Sequence, residues 1–594
     1  MEKHISYAGA KEKELEKRIL QEYAGEEVRK HLEYFTTLIR RAGTDEERQA
    51  AAYIADKLAD YGLEREIYEF DAFINHPGKA ELKILAPLHA NLPCLPCIFV
   101  APTPPEGLEG ELIFLGKGTA RDYEAADVRG KIVLIAPEEM DGQLAAARLG
   151  EERGAIAQIH ITRGRPRTIA MGQFRQTWGN PTPDTVAKLP RTPAVSLCQE
   201  DGQHLTELVG QDRLRVQLQV DSWRGYRKVR LPVGFLPGAS EPDKFVLLAG
   251  HYCSWFTGAT DNAAANALML EMARILAKNR KSLARGIRFA WWTGHEQGLY
   301  AGSTWYLDNF WDDLRDHAVA YLVMDGLGRA GASGFEGRNT EEARKFQESL
   351  ITEILGRSDG SKRVPKFGDQ SFWGLGLPSL TGRPGFTAAQ AAQMGMDPIW
   401  YGHSEEDTLD KVDLDLLPLP FKIYMTALLR LCNNPVLPFE FVTLLELFVK
   451  VLRDLQDKGG ADLDLTSLIT QAKILQEKAE ALNKNLAKIL FKDQEMRTDP
   501  GGSGQCREIN ACFMELSRIL LPALASQAGK YGQDPMGAGF TPLPALQTMA
   551  QLPRLDRASE AYRALHTSLV RERNRLSDVF RAAQGILDYT LKRL

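Results

Sequence analysis

Three apolar runs, each ending in polar residues, constrain this chain more than any other feature of it: FVLLAGHY (245–252), IRFAWWTGHE (287–296) and VAYLVMDGLG (319–328). They are continuous rather than alternating, and NAAANALMLEMARILA (262–277), between the first two, has helical spacing. A strand covered on both faces reads as an unbroken apolar run, and such strands alternating with helices specify a mostly parallel sheet with helices on both sides. The expected fold class is therefore α/β, with a doubly wound, mostly parallel sheet. Ligands bind such sheets beyond the carboxyl ends of the strands. The polar residues that end the runs are thus the place to look for function.

The rest of the chain divides around this core. At 594 residues it is long enough for several hydrophobic cores. Residues 1–27 read as a helical N-terminal extension. From residue 28, Ala51, Ile54 and Leu58 have helical spacing, Gly62 marks a stop, and REIYEF (65–70) alternates as a strand does. Residues 76–219 change texture to short β-type runs broken by Pro and Gly, with an Ala-rich helix between Gly142 and Gly154, as expected of an inserted β-rich module. The α/β domain then comprises residues 28–75 and 220–434. Beyond Pro435 strand patterns vanish, and Leu468, Ala472, Leu475, Ala479, Leu482, Leu486 and Ile489 form an apolar helical seam. Residues 435–594 are expected to be a helical, dimerisation-like domain, with RTDPGGSGQ (497–505) as a loop inside it.

Composition narrows the partners. Apolar residues make up 44% and charged residues 25%, the balance of a globular protein, and a net charge of -5 offers no basic field for nucleic acid or anionic lipid. No apolar run reaches membrane-spanning length, and the charged N-terminus lacks the apolar core of a signal peptide. Seven cysteines without framework spacing fit reduced thiols, so the expected location is cytoplasmic. The lone pair Cys94 and Cys97 reads as plain burial.

The strand ends and following loops present metal-type ligands: His251, Asp261 in GATDN, Glu296, Asp325, and His403 in YGHSEEDT. Singly, such residues are more often caps or satisfied polar groups. Five of them along one sheet edge make a ligand set of the kind Zn²⁺ takes, with a carboxylate able to bridge two ions. His295 and Glu296 are followed by Gln297, Gly298 and Leu299, so the single-helix HExxH site is excluded.

GHYCSWFTGATDN, WWTGHEQGLYAGS, LVMDGLG and YGHSEEDTLDKVD resemble, in order and spacing, the metal-binding motifs of co-catalytic zinc metallopeptidases of the aminopeptidase Y and glutamate carboxypeptidase II type. ELIFLGKGTARDYEAADVRGKIVLIAP and GAIAQIHI resemble the protease-associated domain carried by many members, and MELSRILLPAL with FTPLPALQTM is more loosely similar to the dimerisation domain of glutamate carboxypeptidase II and the transferrin receptor. The resemblance implies two Zn²⁺ ions per chain, with Asp261 bridging them, His251 and Asp325 completing one ion's ligands, and Glu296 and His403 the other's. It further implies hydrolysis of peptide or small amide substrates by a metal-activated water, and a homodimer formed through the helical tail. GDQSFWGLGLPSL resembles the segment lining the substrate cleft, which makes Asp369, Gln370 and Phe372 candidates for substrate contact or for support behind the site, with plain loop packing on the sheet as the alternative.

Two positions depart from that pattern. His295 stands where the family places the glutamate that takes a proton from the metal-bound water. An imidazole can act as a base near neutral pH or bind a metal instead. Cys253 stands where the family has an aspartate supporting the ligand His251; a thiol performs that role poorly but can itself bind zinc. These departures leave two other readings: a non-catalytic, transferrin-receptor-like binding scaffold, and a hydrolase or cyclase acting on a non-standard amide.

Overall fold

The computed structural model describes residues 10–594 except Glu139, Arg163, Asp212, 358–359, 497–503 and 538–540. Most of the expected loop at 497–505 thus lies outside the described residues.

Two helices, α1 (Ala10–Leu20) and α2 (Gly25–Thr36), lead into α3 (Asp45–Asp60), whose first turn is capped by Thr44 accepting from the Glu47 amide at 3.3 Å. Gly62, at φ 78, turns the chain into β1 (Glu64–Ala86). This strand runs antiparallel to β6 (Leu214–Leu236) from Glu64 opposite Phe235 to Ala86 opposite Arg215. Both strands are 23 residues long and pass straight through positions 75/76 and 219/220. The inserted segment is therefore continuous with the central sheet through a two-stranded ribbon. Between the two arms lie β2 (Leu108–Phe114), β3 (Ile132–Ile135), β4 (Ala157–Ile161) and β5 (Ala194–Leu197), joined in parallel and packed on their own core, which includes Leu112, Leu134, Ile159 and Val195.

After β6 come β7 (Glu241–His251), α4 (Ala264–Lys278), β8 (Arg285–Trp292), β9 (Ala318–Val323), β10 (Gly334–Asn339), β11 (Ser379–Gly385) and α5 (Pro418–Asn433). Strands β11, β9, β7 and β8 lie side by side in parallel, with β10 and β6 antiparallel at the flanks. Leu248, Phe289 and Leu322 face a core formed with α2, α3, α4 and α5, while Leu247, Ala290 and Tyr321 face a second core with Tyr306, Leu307 and Leu314. Burial on both faces explains the unbroken apolar runs and bears out the α/β, doubly wound reading.

The C-terminal region is helical: α6 (Phe441–Gly459), α7 (Thr466–Met496), α8 (Gly504–Ala525) and α9 (Glu560–Arg593) are its long elements. The seam on α7 does not face outward. Leu468, Ala472, Leu475, Ala479 and Leu482 are buried against α6 and α9 and belong to the same core as α4 and α5. The seam is thus covered within the chain itself.

Candidate metal centre and active site

The three central parallel strands deliver the candidate ligands to one edge. His251 ends β7, opposite Trp292 of β8; Glu296 lies four residues past Trp292, and Asp325 two past the end of β9. Asp261 sits in the turn Ala259–Ala263 before α4, and His403 comes from the loop ahead of α5, with φ 55. The structure brings all five together.

Asp261 stands between two groups. Its Oδ1 lies 2.9 Å from His251 Nε2, which is 3.6 Å from Asp325 Oδ1. Its Oδ2 lies 3.2 Å from His403 Nε2, which is 3.4 Å from Glu296 Oε1. In each group of three, the nitrogen and oxygen atoms lie within 4.8 Å of one another.

Buried polar atoms in proteins almost always have hydrogen-bond partners. His251 Nε2, Asp261 Oδ1 and Glu296 Oε1 are buried without one, their close approaches lacking hydrogen-bond alignment. Lone pairs converging in this way, from imidazole and carboxylate, are the donor set that zinc takes.

Electrostatics agree with the geometry. Burial depresses the His251 and His403 imidazoles, but the carboxylates beside them outweigh it and hold both well above the ordinary value. Burial likewise raises Asp261, and the two histidines more than reverse it. The two histidines and the carboxylates beside them thus depend on one another for charge compensation, a task that cations perform when bound.

Main-chain groups and buried side chains behind the ligands fix their positions. His251 Nδ1–H donates to the Cys253 carbonyl at 3.0 Å, which turns Nε2 toward the carboxylates. Support for His251 therefore comes from the backbone of Cys253. Its thiol is pushed up by burial and joins none of the converging groups among the described residues. Asp407 accepts the amides of Thr260 at 3.0 Å and Asp261 at 3.1 Å. Asn262 ties the ends of β7 and β9 by donating to the His251 and Met324 carbonyls. Gln297 donates to the Ser254 carbonyl and accepts from the Ala42 amide, and its own carbonyl accepts from the Asn75 amide on the ribbon. Arg40, fully buried, donates to the carbonyls of Phe35, Leu38, Tyr252, Thr257 and Gly258, and so shapes the loop between His251 and Asp261. Sequence reasoning missed Asp407, Asn262, Gln297 and Arg40. Asn262 and Gln297 adjoin ligands within the quoted motifs; Arg40 carries no local signal.

His295 stacks on His251, ring centroids 3.7 Å apart and planes at 19°. Its Nδ1 lies 2.6 Å from Asp369 Oδ2, and Asp369 Oδ1 accepts the Ser303 hydroxyl at 2.8 Å. His295 also has a ring nitrogen within the group formed with His251 and Glu296. Asp369, Gln370 and Phe372 are each about 1% exposed. Gln370 Oε1 accepts from Ser379 Oγ at 2.8 Å, and Phe372 packs edge-on against Tyr321. Of the two roles expected for these three, substrate contact or support of the site, their burial and bonding favour support, with Asp369 bonded to His295.

Residues 233–419, which contain all five converging side chains, match peptidase family M28. This chain carries an M28 peptidase domain. Over 493 residues the chain is 24% identical to the probable glutamate carboxypeptidase VP8 of Zea mays, covering 71% of this chain and 69% of that one. It is 23% identical over 391 residues to transferrin receptor protein 2 of Homo sapiens, covering 58% and 48%. Among solved structures, the aminopeptidase from Aneurinibacillus sp. strain AM-1 shares the fold at a TM-score of 0.53 and 20% identity, over 69% of this chain and 94% of that one. The M28 match and the peptidase relatives make the chain a metallopeptidase, as its sequence motifs implied.

Proposed function

We propose that the M28 domain acts as a two-zinc, aminopeptidase-like hydrolase on the N-terminal end of peptides or related amides. The observation that carries this reading is the placement of Asp261, with one oxygen toward His251 and Asp325 and the other toward His403 and Glu296. Zinc held there supplies Lewis acidity at the scissile carbonyl and lowers the pKa of water toward ~7. His251 and Asp325 would hold one ion and Glu296 and His403 the other, with Asp261 shared.

His295 takes the proton that the attacking water releases and passes it to the leaving amine. With Nδ1–H engaged by Asp369, the free nitrogen is Nε2, the atom that accepts and returns the proton. This division of roles has the logic of an acid orienting an imidazole base, transferred to a metal site.

The segment inserted between the arms of the ribbon fits the role of a protease-associated domain, since its residues contact the loop that carries His403. Seven free cysteines support a reducing, cytoplasmic location. Among the described residues, no helix is long and apolar enough to cross a membrane.

The test is turnover of aminoacyl amides by the full chain before and after chelation. Activity that disappears with a chelator, returns with zinc and is lost in Asp261→Asn supports the proposal. Absent turnover with unchanged melting on chelation would establish a scaffold instead. A second reading rests on His295 standing in place of a carboxylate: a non-standard amide, or the cyclisation of an N-terminal glutamine. Turnover of glutaminyl peptides without release of a free amino acid would favour it.

A further inference from the structure

The loop that carries His403 is gripped by the inserted segment. Arg165 Nη1 donates to the carbonyls of Trp400 and Gly402, each at 2.6 Å, and Nη2 to that of Ile399 at 3.3 Å. The guanidinium also lies 3.8 Å from Asp397 Oδ2, and the side chain is only 11% exposed. Two main-chain bonds bracket this clamp: the Asp397 amide donates to the Gly164 carbonyl at 3.0 Å, and the Met171 amide to the His403 carbonyl at 3.1 Å. Gly164 approaches so closely, at φ +70, that a Cβ there would lie 2.8 Å from the Asp397 nitrogen.

His403 needs such a hold. Its φ of 55 is a conformation that a non-glycine residue keeps only when its surroundings impose it. A planar guanidinium reaching three carbonyls of one turn fixes that turn in a way a flexible ammonium cannot. His251 and Asp325, by contrast, follow directly from the ends of β7 and β9 and do not depend on the clamp.

We propose that Arg165 is a positioning residue for His403, through which the inserted segment sets the affinity for the ion held by His403, Glu296 and Asp261. The inference rests on the two-zinc reading above. It predicts an asymmetric defect, with one ion weakened and the ion at His251 and Asp325 retained.

The experiment measures zinc by elemental mass spectrometry, and by competition with a chromogenic chelator, in the full chain and in Arg165→Met, Arg165→Lys, His403→Ala and Arg167→Ala. Arg167 pairs with Glu200 on the surface and serves as the control. Arg165→Met is expected to behave like His403→Ala, losing one ion, with zinc affinity at the weak site reduced about tenfold or more. Excess zinc is expected to restore both the second ion and turnover in Arg165→Met, which a general structural defect would not allow. Should Arg165→Met fail to fold, as judged by melting, Arg165→Lys decides by the same tenfold criterion. Two ions at unchanged affinity in the folded Arg165 variant overturn the inference while leaving the two-zinc reading intact. A wild-type chain that binds no zinc overturns both.

Discussion

His295 Nδ1 and Asp369 Oδ2 lie 2.6 Å apart, with the second Asp369 oxygen taken by Ser303. Asp369 therefore orients His295, one of whose ring nitrogens lies beside His251 and Glu296. Asp369→Asn is expected to lower kcat about 10–100-fold with KM little changed, as read by steady-state kinetics. Restoring a carboxylate by His295→Glu would set it against the buried Asp369, where like charges disfavour joint ionisation. The single His295→Glu variant is expected to gain nothing, and the double His295→Glu, Asp369→Asn variant to exceed it. A gain in the single variant would contradict the pairing.

Glu47 gives the fold a pH dependence of its own. Burial pushes its carboxyl up to about 7, against the Thr293 hydroxyl and the Gly43 amide, which donate to it. A folded-state pKa above the reference value of 4.5 means that the folded chain binds the proton more tightly than the unfolded chain. This stabilisation is fully present below that reference value and is lost as pH rises through about 7. Urea melts are expected to show a loss of about 2–3 kcal/mol from this group between about pH 5 and pH 8. Glu47→Gln should remove that part of the slope; an unchanged slope would contradict the assignment.

The helical tail is part of the same folded unit as the M28 domain. Leu475 is buried in the core shared with α4 and α5, and Arg518 of α8 donates to the carbonyls of Leu314, Ala318 and Gly376. Leu475→Ala is expected to cost about 3 kcal/mol in urea melts. Leu475→Glu is expected to unfold the chain. A folded Leu475→Glu protein of lower assembly mass in sedimentation would instead place the seam at an interface between copies.

What the sequence disclosed follows from where its signals are local. His251, Glu296 and Asp325 were legible because parallel strands buried on both faces are unbroken apolar runs, and a polar residue ending such a run stands out. Asp261 and His403 were legible through their motifs. The length of β1 and β6 was not, since the two strands pass from the buried sheet into an exposed ribbon and their apolar pattern changes midway. The pairing of Asp369 with His295 joins residues 74 positions apart, and the motif alone left Asp369 between support and substrate contact. Cys253 serves through its carbonyl, which side-chain identity cannot announce. Arg40 and Arg165 act chiefly on main-chain oxygens, which leave no side-chain spacing to mark them, and the carboxylate beside Arg165, that of Asp397, is distant in sequence.

The central claim is that Asp261 joins two ion sites. It is tested most directly by the zinc content of chain purified without chelators, measured by elemental mass spectrometry for the wild type and for Asp261→Asn. The account predicts about two zinc ions per wild-type chain and fewer than about one in the variant. No zinc in the wild type after zinc is offered, or two ions retained by Asp261→Asn, would contradict it.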